Sequence, residues 1–497
     1  MRAYDAVLAQ YRSVRALQVA MGLMHWDRQV LMPPGGGAAR TEHTTRLALM
    51  EHHWFTSDET AHLLEEAERE TDPGTDEGAA LRVLRREVAQ ETALPDDLVQ
   101  RKARASANGY EAWKRAKAGS DFKILEPLLA ELFGIAAETS NRLAPNAAHP
   151  YDPLIDLFDE GNTYANAKRL LDGVKQPVID LLAEIGSEGG LIDDSALTGV
   201  TDQAALRSFA ESSATKIGFD FSRGRLDMCA NAFCSGSTSF DVRMTTRASD
   251  HIKGVVSSSL HEMGHGLYQQ GDRPEWIDSP LSGGASLAIH ESQSRLWENI
   301  VGRSRPFWTF FYPSLQSYQP QIANLPLDAF WRGINKVEPT FIRVGADELS
   351  YNLHIIVRFE LEVELITGRL ATKDLPEAWD EKYRTYLGIV PPDDALGCLQ
   401  DVHWSRGSVG YFPTYALGNI VGGAVWKALL VDVGDVDAQM ERGDFSSILG
   451  WLTEKIYRQG QRYTPRELLR RVLPSEPDGS EWLEYAQGKY RALYGLA

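Results

Sequence analysis

The chain has 497 residues, 43% of them hydrophobic and 24% charged, enough apolar material for a sizeable core in several domains or in one large helical body. Its formal net charge of −18 argues against a nucleic-acid binder, which needs a basic face to displace counterions. Three cysteines, Cys229, Cys234 and Cys398, make no disulfide framework, so a reducing compartment is expected; Cys229 and Cys234 also lack the second pair of a structural zinc site.

The N-terminal stretch MRAYDAVLAQYRSVRALQVAMGLMHWD carries charges throughout, and its apolar run Ala16 to Met24 is followed by no small-residue cleavage site. No run of eighteen apolar residues stands out as a membrane span, so a cytoplasmic protein without membrane contact is expected. Next come DEGAALRVLRREVAQETA, LEPLLAELFGIAAETSNRLA and YANAKRLLDGVKQPVIDLLAEIG, with apolar residues at helical spacing. TDPGTD, APNAAHPYDP and GSEGG separate them as turns. From Arg223 to Thr246 the chain turns rich in Gly and Ser and ends in the alternating SFDVRMTT, which predicts one or two short strands just before the next helix. No repeat and no long polar linker divides the chain, so residues 1–497 are expected to form a single, mainly α body with a small sheet.

That next helix holds SLHEMGHGLYQQG, Ser259 to Gly271. Residues four apart share a helix face, so His261 and His265 can hold one ion between them. Glu262 sits about 100° round the helix and can reach a water on that ion, which is the H-E-x-x-H arrangement with the glutamate as general base. A catalytic zinc takes three protein ligands and keeps a fourth position open. GDRPEWIDSPLSGG then breaks the helix, and ASLAIHESQSRLWENI starts another whose first turn carries His290 and Glu291. Glu291 lies twenty-six positions after His265, enough for a chain reversal, and His290 is the rival third ligand.

HEMGH followed by HES at this distance resembles the M32 metallocarboxypeptidases, the thermostable carboxypeptidase Taq family. Further motifs occur in family order: DVRMTT (Asp241 to Thr246) is similar to D-x-R-x-T, IRVGAD (Ile342 to Asp347) to I-R-x-x-A-D, and GCLQDVHW (Gly397 to Trp404) to G-x-x-Q-D-x-H-W. WDRQVLMPPGGGAAR, Trp26 to Arg40, also has the family's character. The resemblance implies a gluzincin-like helical body with a deep active-site groove, roofed by N-terminal helices within about residues 1–120, and a homodimer. It implies release of single residues from peptide C-termini with broad preference, stopping at proline. By motif, His261, His265 and Glu291 would bind zinc, with cobalt or manganese as substitutes, and Glu262 would activate water. One motif departs: where the family has H-P-F, this chain has Asn231, Ala232 and Phe233.

Hydrolysis also needs donors for the negative oxygen of the tetrahedral intermediate. In QDVHWSRGSVGYFPTYALGN, the resemblance points to His403 and one of two tyrosines, Tyr415 ahead of Tyr411, whereas Trp404 and Phe412 read as packing. An exopeptidase must grip a free carboxylate, which suits the planar fork of arginine. The I-R-x-x-A-D motif selects Arg343, with Arg243 as competitor; the structural alternative is an ion pair to Asp347, four residues on along the helix that ADELSYNLHIIVRFELEVELI predicts. Two other functions remain open at this stage: a zinc oligopeptidase or dipeptidase of related fold, and a non-catalytic peptide-binding protein.

Overall fold

The computed structural model describes residues 2–200 and 202–496. It is 68% helical, with one three-stranded sheet. The Cα positions group into two compact units. The first comprises Met1–Thr92, Asp193–Ile334 and Val425–Ser475; the second comprises Ala93–Ile192, Asn335–Ala424 and Glu476–Ala497.

In the first unit the long N-terminal helix Ala3–Val30 buries Ala3, Val7, Tyr11 and Val14, one stripe at steps of three and four. That stripe packs on Leu64 and Ala67 of helix Asp58–Glu70 and on Leu81, Leu84 and Val88 of helix Asp76–Thr92. The sheet has order β1-β3-β2: β1 (Gly224–Met228) runs parallel to β3 (Asp241–Thr246), and β2 (Cys234–Thr238) runs antiparallel on its other side. There are thus three strands where one or two were expected. GRLDM lacks clear alternation because it is an edge strand whose pairing is supplied from a distance by β3. Only the central β3 shows a strongly buried pattern, with Val242, Met244, Thr245 and Thr246 all inside.

The HEMGH helix, Ile252–Gln270, lies on that sheet. The Ser259 hydroxyl donates to Thr246 Oγ1 at 3.1 Å, and a Cβ on Gly266 would stand 2.8 Å from the Phe219 ring. The helix Leu287–Arg295, capped by Ser286, crosses it at Gly264, where a Cβ would stand 2.6 Å from Ser294 Cα. Only glycine permits so close an approach. After Arg295 the backbone continues as a π-helical turn, Leu296–Val301.

In the second unit the helix Tyr351–Ile366 is the core, with 14 of its 16 residues buried. Its start departs from expectation. Asp347 is not inside the helix but before it, where Oδ1 accepts the Leu349 and Ser350 amides at 2.9 and 2.8 Å. Helix Pro413–Val433 is long and apolar enough by composition to cross a membrane, contrary to the reading of the bare sequence, yet 67% of its most apolar window is buried inside the protein.

Candidate metal centre and catalytic groups

In the first unit, His261 and His265 project from one face of the HEMGH helix, and the crossing at Gly264 brings the Glu291 helix alongside. Glu291 Oε2 stands 3.6 Å from His261 Nε2 and 3.5 Å from His265 Nε2, and the three ligand atoms all lie within 4.8 Å of one another. Two ligands each about 2.1 Å from a tetrahedral ion stand about 3.4 Å apart, so this triangle fits a divalent cation of zinc's size. Two imidazoles and one carboxylate are also the donor set such an ion takes.

His290 turns elsewhere. Its Nδ1 meets His265 Nδ1 at 3.0 Å, behind the ligand rather than beside it. Burial, with the neighbouring His265, pushes His290 down to about 3, so it is a neutral imidazole. A cation held at His265 Nε2 would leave the proton on His265 Nδ1, which would then donate to His290 Nδ1. His261 is backed differently, by Glu298 Oε2 at 3.0 Å from its Nδ1. Arg295 bridges the carboxylates: its Nε donates to Glu291 Oε1 at 2.7 Å and its Nη1 to Glu298 Oε2 at 3.1 Å. Arg303 completes the pairing of Glu298, donating to Oε1 at 3.1 Å. Burial opposes ionisation of both carboxyls, but Arg295 and His261 outweigh it; Glu291 stays well below the usual range and Glu298 falls to about 2. Of these supporting groups the sequence singled out only His290, and as a rival ligand; Arg295, Glu298 and Arg303 were missed, although Glu291, Arg295 and Glu298 at i, i+4 and i+7 mark one charged face.

Glu262 is 5% exposed, and burial pushes its carboxyl up against the lowering effect of His261 and His265. The Cys234 thiol is pushed well above its ordinary value by burial and by the charge of Glu262. Cys234 lies opposite Met244 on one edge of β3, whereas the Cys229 amide bonds Thr246 on the other edge, so the two do not form a ligand pair. Asn231, Ala232 and Phe233 form the turn between β1 and β2, where the Phe233 amide donates to Thr245 Oγ1 at 2.8 Å. Arg243 donates to Asp241 at 2.9 and 3.1 Å and lies over the Trp26 ring at 4.3 Å.

The second unit holds the other candidates. Arg343 is 6% exposed, and its partner is Asp401 rather than Asp347. Its Nε and Nη2 donate to Asp401 Oδ1 at 3.2 and 2.8 Å, and its Nη1 donates to the Tyr351 hydroxyl at 2.8 Å. Asp347 is engaged elsewhere: Oδ1 accepts the Leu349 and Ser350 amides, and Oδ2 accepts the Ser350 hydroxyl and the Glu338 amide. Arg358 Nε donates to the other oxygen of Asp401 at 2.7 Å. Burial lowers both neighbouring histidines, His354 far below its ordinary value and His403 to about 4, so both are neutral. Two guanidiniums around one carboxylate therefore leave one net positive charge.

His403 Nε2 lies 3.3 Å from the Tyr415 hydroxyl, and the rings of Tyr411 and Tyr415 are 5.4 and 6.1 Å from the His403 ring. The three thus form one cluster, beside which Arg343 lies over the Tyr415 ring at 4.9 Å. Phe412 is fully buried packing. Trp404 is packed too, but its Nε1 donates to Glu362 Oε1 at 2.7 Å, a second buried carboxylate that the sequence reading passed over. The helix it sits on carries His354, Arg358 and Glu362 at i, i+4 and i+8, all three fully buried. That polar stripe is the signal that would have found it.

Residues 6–490 match the model of the Carboxypeptidase Taq (M32) metallopeptidases. The chain is 35% identical over 505 residues to thermostable carboxypeptidase 1 of Thermus thermophilus, covering 99% of each chain. It is 35% identical over 483 residues to carboxypeptidase 1 of Bacillus subtilis, covering 96% of each. Among solved structures it is similar to the M32 carboxypeptidase of Deinococcus radiodurans R1, with a TM-score of 0.96 at 33% identity over 100% of both chains. Metallocarboxypeptidase 1 of Trypanosoma cruzi gives a TM-score of 0.94 at 30% identity over 99% of this chain and 100% of that one. With a metal-fitting triad and full-length likeness in both sequence and fold, the chain belongs to the M32 family of metal-dependent carboxypeptidases, hydrolases that act on peptide C-termini.

Proposed function

We propose that the chain is a zinc carboxypeptidase that removes single residues from peptide C-termini with broad preference, acting as a cytoplasmic homodimer in peptide turnover. The observation that carries the choice of ion is the ligand triangle, whose 3.5 and 3.6 Å edges suit tetrahedral zinc. Zinc held by His261, His265 and Glu291 supplies Lewis acidity toward the scissile carbonyl and makes water more acidic. Glu262 takes the proton of the attacking water and passes it to the departing amine. His403 and Tyr415, with Tyr411 beside them, donate hydrogen bonds to the oxygen on which charge develops. Arg343 takes the substrate's terminal carboxylate. The net positive charge that Arg343, Arg358 and Asp401 retain supports that role, since a fully neutralised arginine would attract no further anion.

The test is product analysis by mass spectrometry on one N-blocked peptide, offered as free acid and as C-terminal amide, with and without chelator. Stepwise loss of single residues from the acid alone, abolished by the chelator, is the expected result. Equal internal cleavage of both forms would make the protein an oligopeptidase and remove Arg343 from its role. No cleavage by protein shown to carry metal would leave only peptide binding. Elemental analysis of the purified protein decides zinc against cobalt or manganese.

A further inference from the structure

Glu362 is a fully buried carboxylate that lies outside the roles assigned above. Its Oε1 accepts Trp404 Nε1 at 2.7 Å; its Oε2 accepts the Gly410 amide at 3.1 Å and the Tyr151 hydroxyl at 2.5 Å. All three donors are neutral. A carboxylate buried among neutral donors is costly compared with a Leu, Val or Ile, of which this helix buries several. Core packing alone would be served better by one of those. A fully satisfied buried polar group does something that packing does not: it fixes the geometry of the groups it bonds.

The groups it bonds are placed tellingly. Trp404 directly follows His403, and Gly410 directly precedes Tyr411. One carboxylate therefore ties down both ends of the loop that separates the histidine from the tyrosines. The loop itself turns through Gly407 and Gly410, with φ of +75° and +91°, a backbone with little rigidity of its own. At Gly410 a second surface meets it, because a Cβ there would stand 2.5 Å from the Leu154 carbonyl oxygen. The loop end is clamped between Glu362 on one side and the Tyr151–Ile155 backbone on the other.

We infer that Glu362 is a positioning residue for catalysis: by bonding Trp404 and Gly410 together it holds His403, Tyr411 and Tyr415 in the relative geometry the reaction needs. The inference rests on the proposed catalytic role of that cluster. Glutamine at this position can accept at one oxygen only, so Glu362→Gln releases one end of the loop while keeping the side chain's size.

The experiment measures kcat, KM and metal content for Glu362→Gln, His403→Ala and the double variant on an N-blocked free-acid peptide. The expected result is a kcat about tenfold lower for Glu362→Gln, with KM and bound metal changed less than about threefold, since transition-state donors act on kcat. In the His403→Ala background the same substitution should cost much less than tenfold, because the group it positions is already gone. Equal factors in both backgrounds would overturn the inference and leave Glu362 as scaffold. An unchanged kcat in His403→Ala alone would instead overturn the role given to His403. Should Glu362→Gln fail to fold, Trp404→Phe removes the Nε1 bond and leaves a smaller aromatic ring in the same place. It is expected to lower kcat at constant KM, and wild-type kcat from that variant would overturn the inference.

Discussion

Arg295 occupies Glu291 Oε1, so Oε2 alone is turned toward the two histidines, while Glu298 holds His261 by its other nitrogen. Groups behind metal ligands typically contribute 10- to 100-fold in affinity. Glu298→Gln should therefore weaken metal binding by about tenfold, read by chelator competition on the metal-free protein. Glu262→Gln is its counterpart: metal binding stays within error while kcat falls by about 10²- to 10⁴-fold, the usual contribution of a general base. A variant at 262 that lost its metal would show Glu262 to be part of the metal support instead. At Arg343, substitution by alanine removes one of two guanidiniums around Asp401 and leaves that cluster neutral. KM for free-acid peptides should rise at least about tenfold with metal content unchanged, and an unaltered KM would take the anchor role away. The ligand spacing within HEMGH was legible in the sequence because it lies within one helical turn. The partner of Arg343 was not, because local spacing offered Asp347, whereas Asp401 lies 58 positions on and is brought in only by the fold.

Elements meet where side chains allow it, and the metal centre depends on one such meeting. Gly264 sits between the two ligand histidines, and the Ser294 backbone fills the space its side chain would take. Gly264→Ala must push the helices Ile252–Gln270 and Leu287–Arg295 apart, and the second of these carries Glu291. Overpacking of this kind costs about 1–3 kcal/mol, and a ligand moved by even a fraction of an ångström leaves the tetrahedral triangle. The variant should therefore melt earlier and bind metal more weakly, with both changes visible in a metal titration followed by thermal unfolding. Unchanged affinity with lowered stability would mean that the helices separate without moving Glu291. The helices themselves were legible from periodicity, as was β3 from its alternation. The parallel partner β1 was not, since GRLDM takes its register from β3 rather than from its own pattern. The start of helix Tyr351–Ile366 was placed too early for a related reason: Asp347 favours helix onset, but its carboxylate closes a turn over Leu349 and Ser350, before the first helical residue.

Across the whole chain, acid stability is set by buried groups rather than by the net charge of −18, and two of them oppose each other. Burial raises Glu362 from 4.5 to about 7, against the donors Tyr151, Trp404 and Gly410 and the charge of Arg358. Its folded form holds the proton more tightly than the unfolded chain, so its contribution to stability grows as pH falls from 7 to 4.5. Burial lowers His403 from 6.5 to about 4, with Asp401 opposing and Arg343, Arg358 and Arg406 adding to the effect. Its folded form resists protonation, so its contribution is lost as pH falls from 6.5 to 4. Each displacement corresponds to about 3 kcal/mol, and between pH 4.5 and 6.5 the two slopes nearly cancel. Removing one exposes the other. Relative to wild type, Glu362→Gln should lose more stability at pH 5 than at pH 8, and His403→Gln should lose less at pH 5 than at pH 8. Denaturant midpoints of the three proteins at both pH values, each saturated with the same metal, provide the measurement. The pH dependence of metal binding is common to all three and drops out of the differences. Parallel shifts at the two pH values would show that neither group changes its proton affinity on folding.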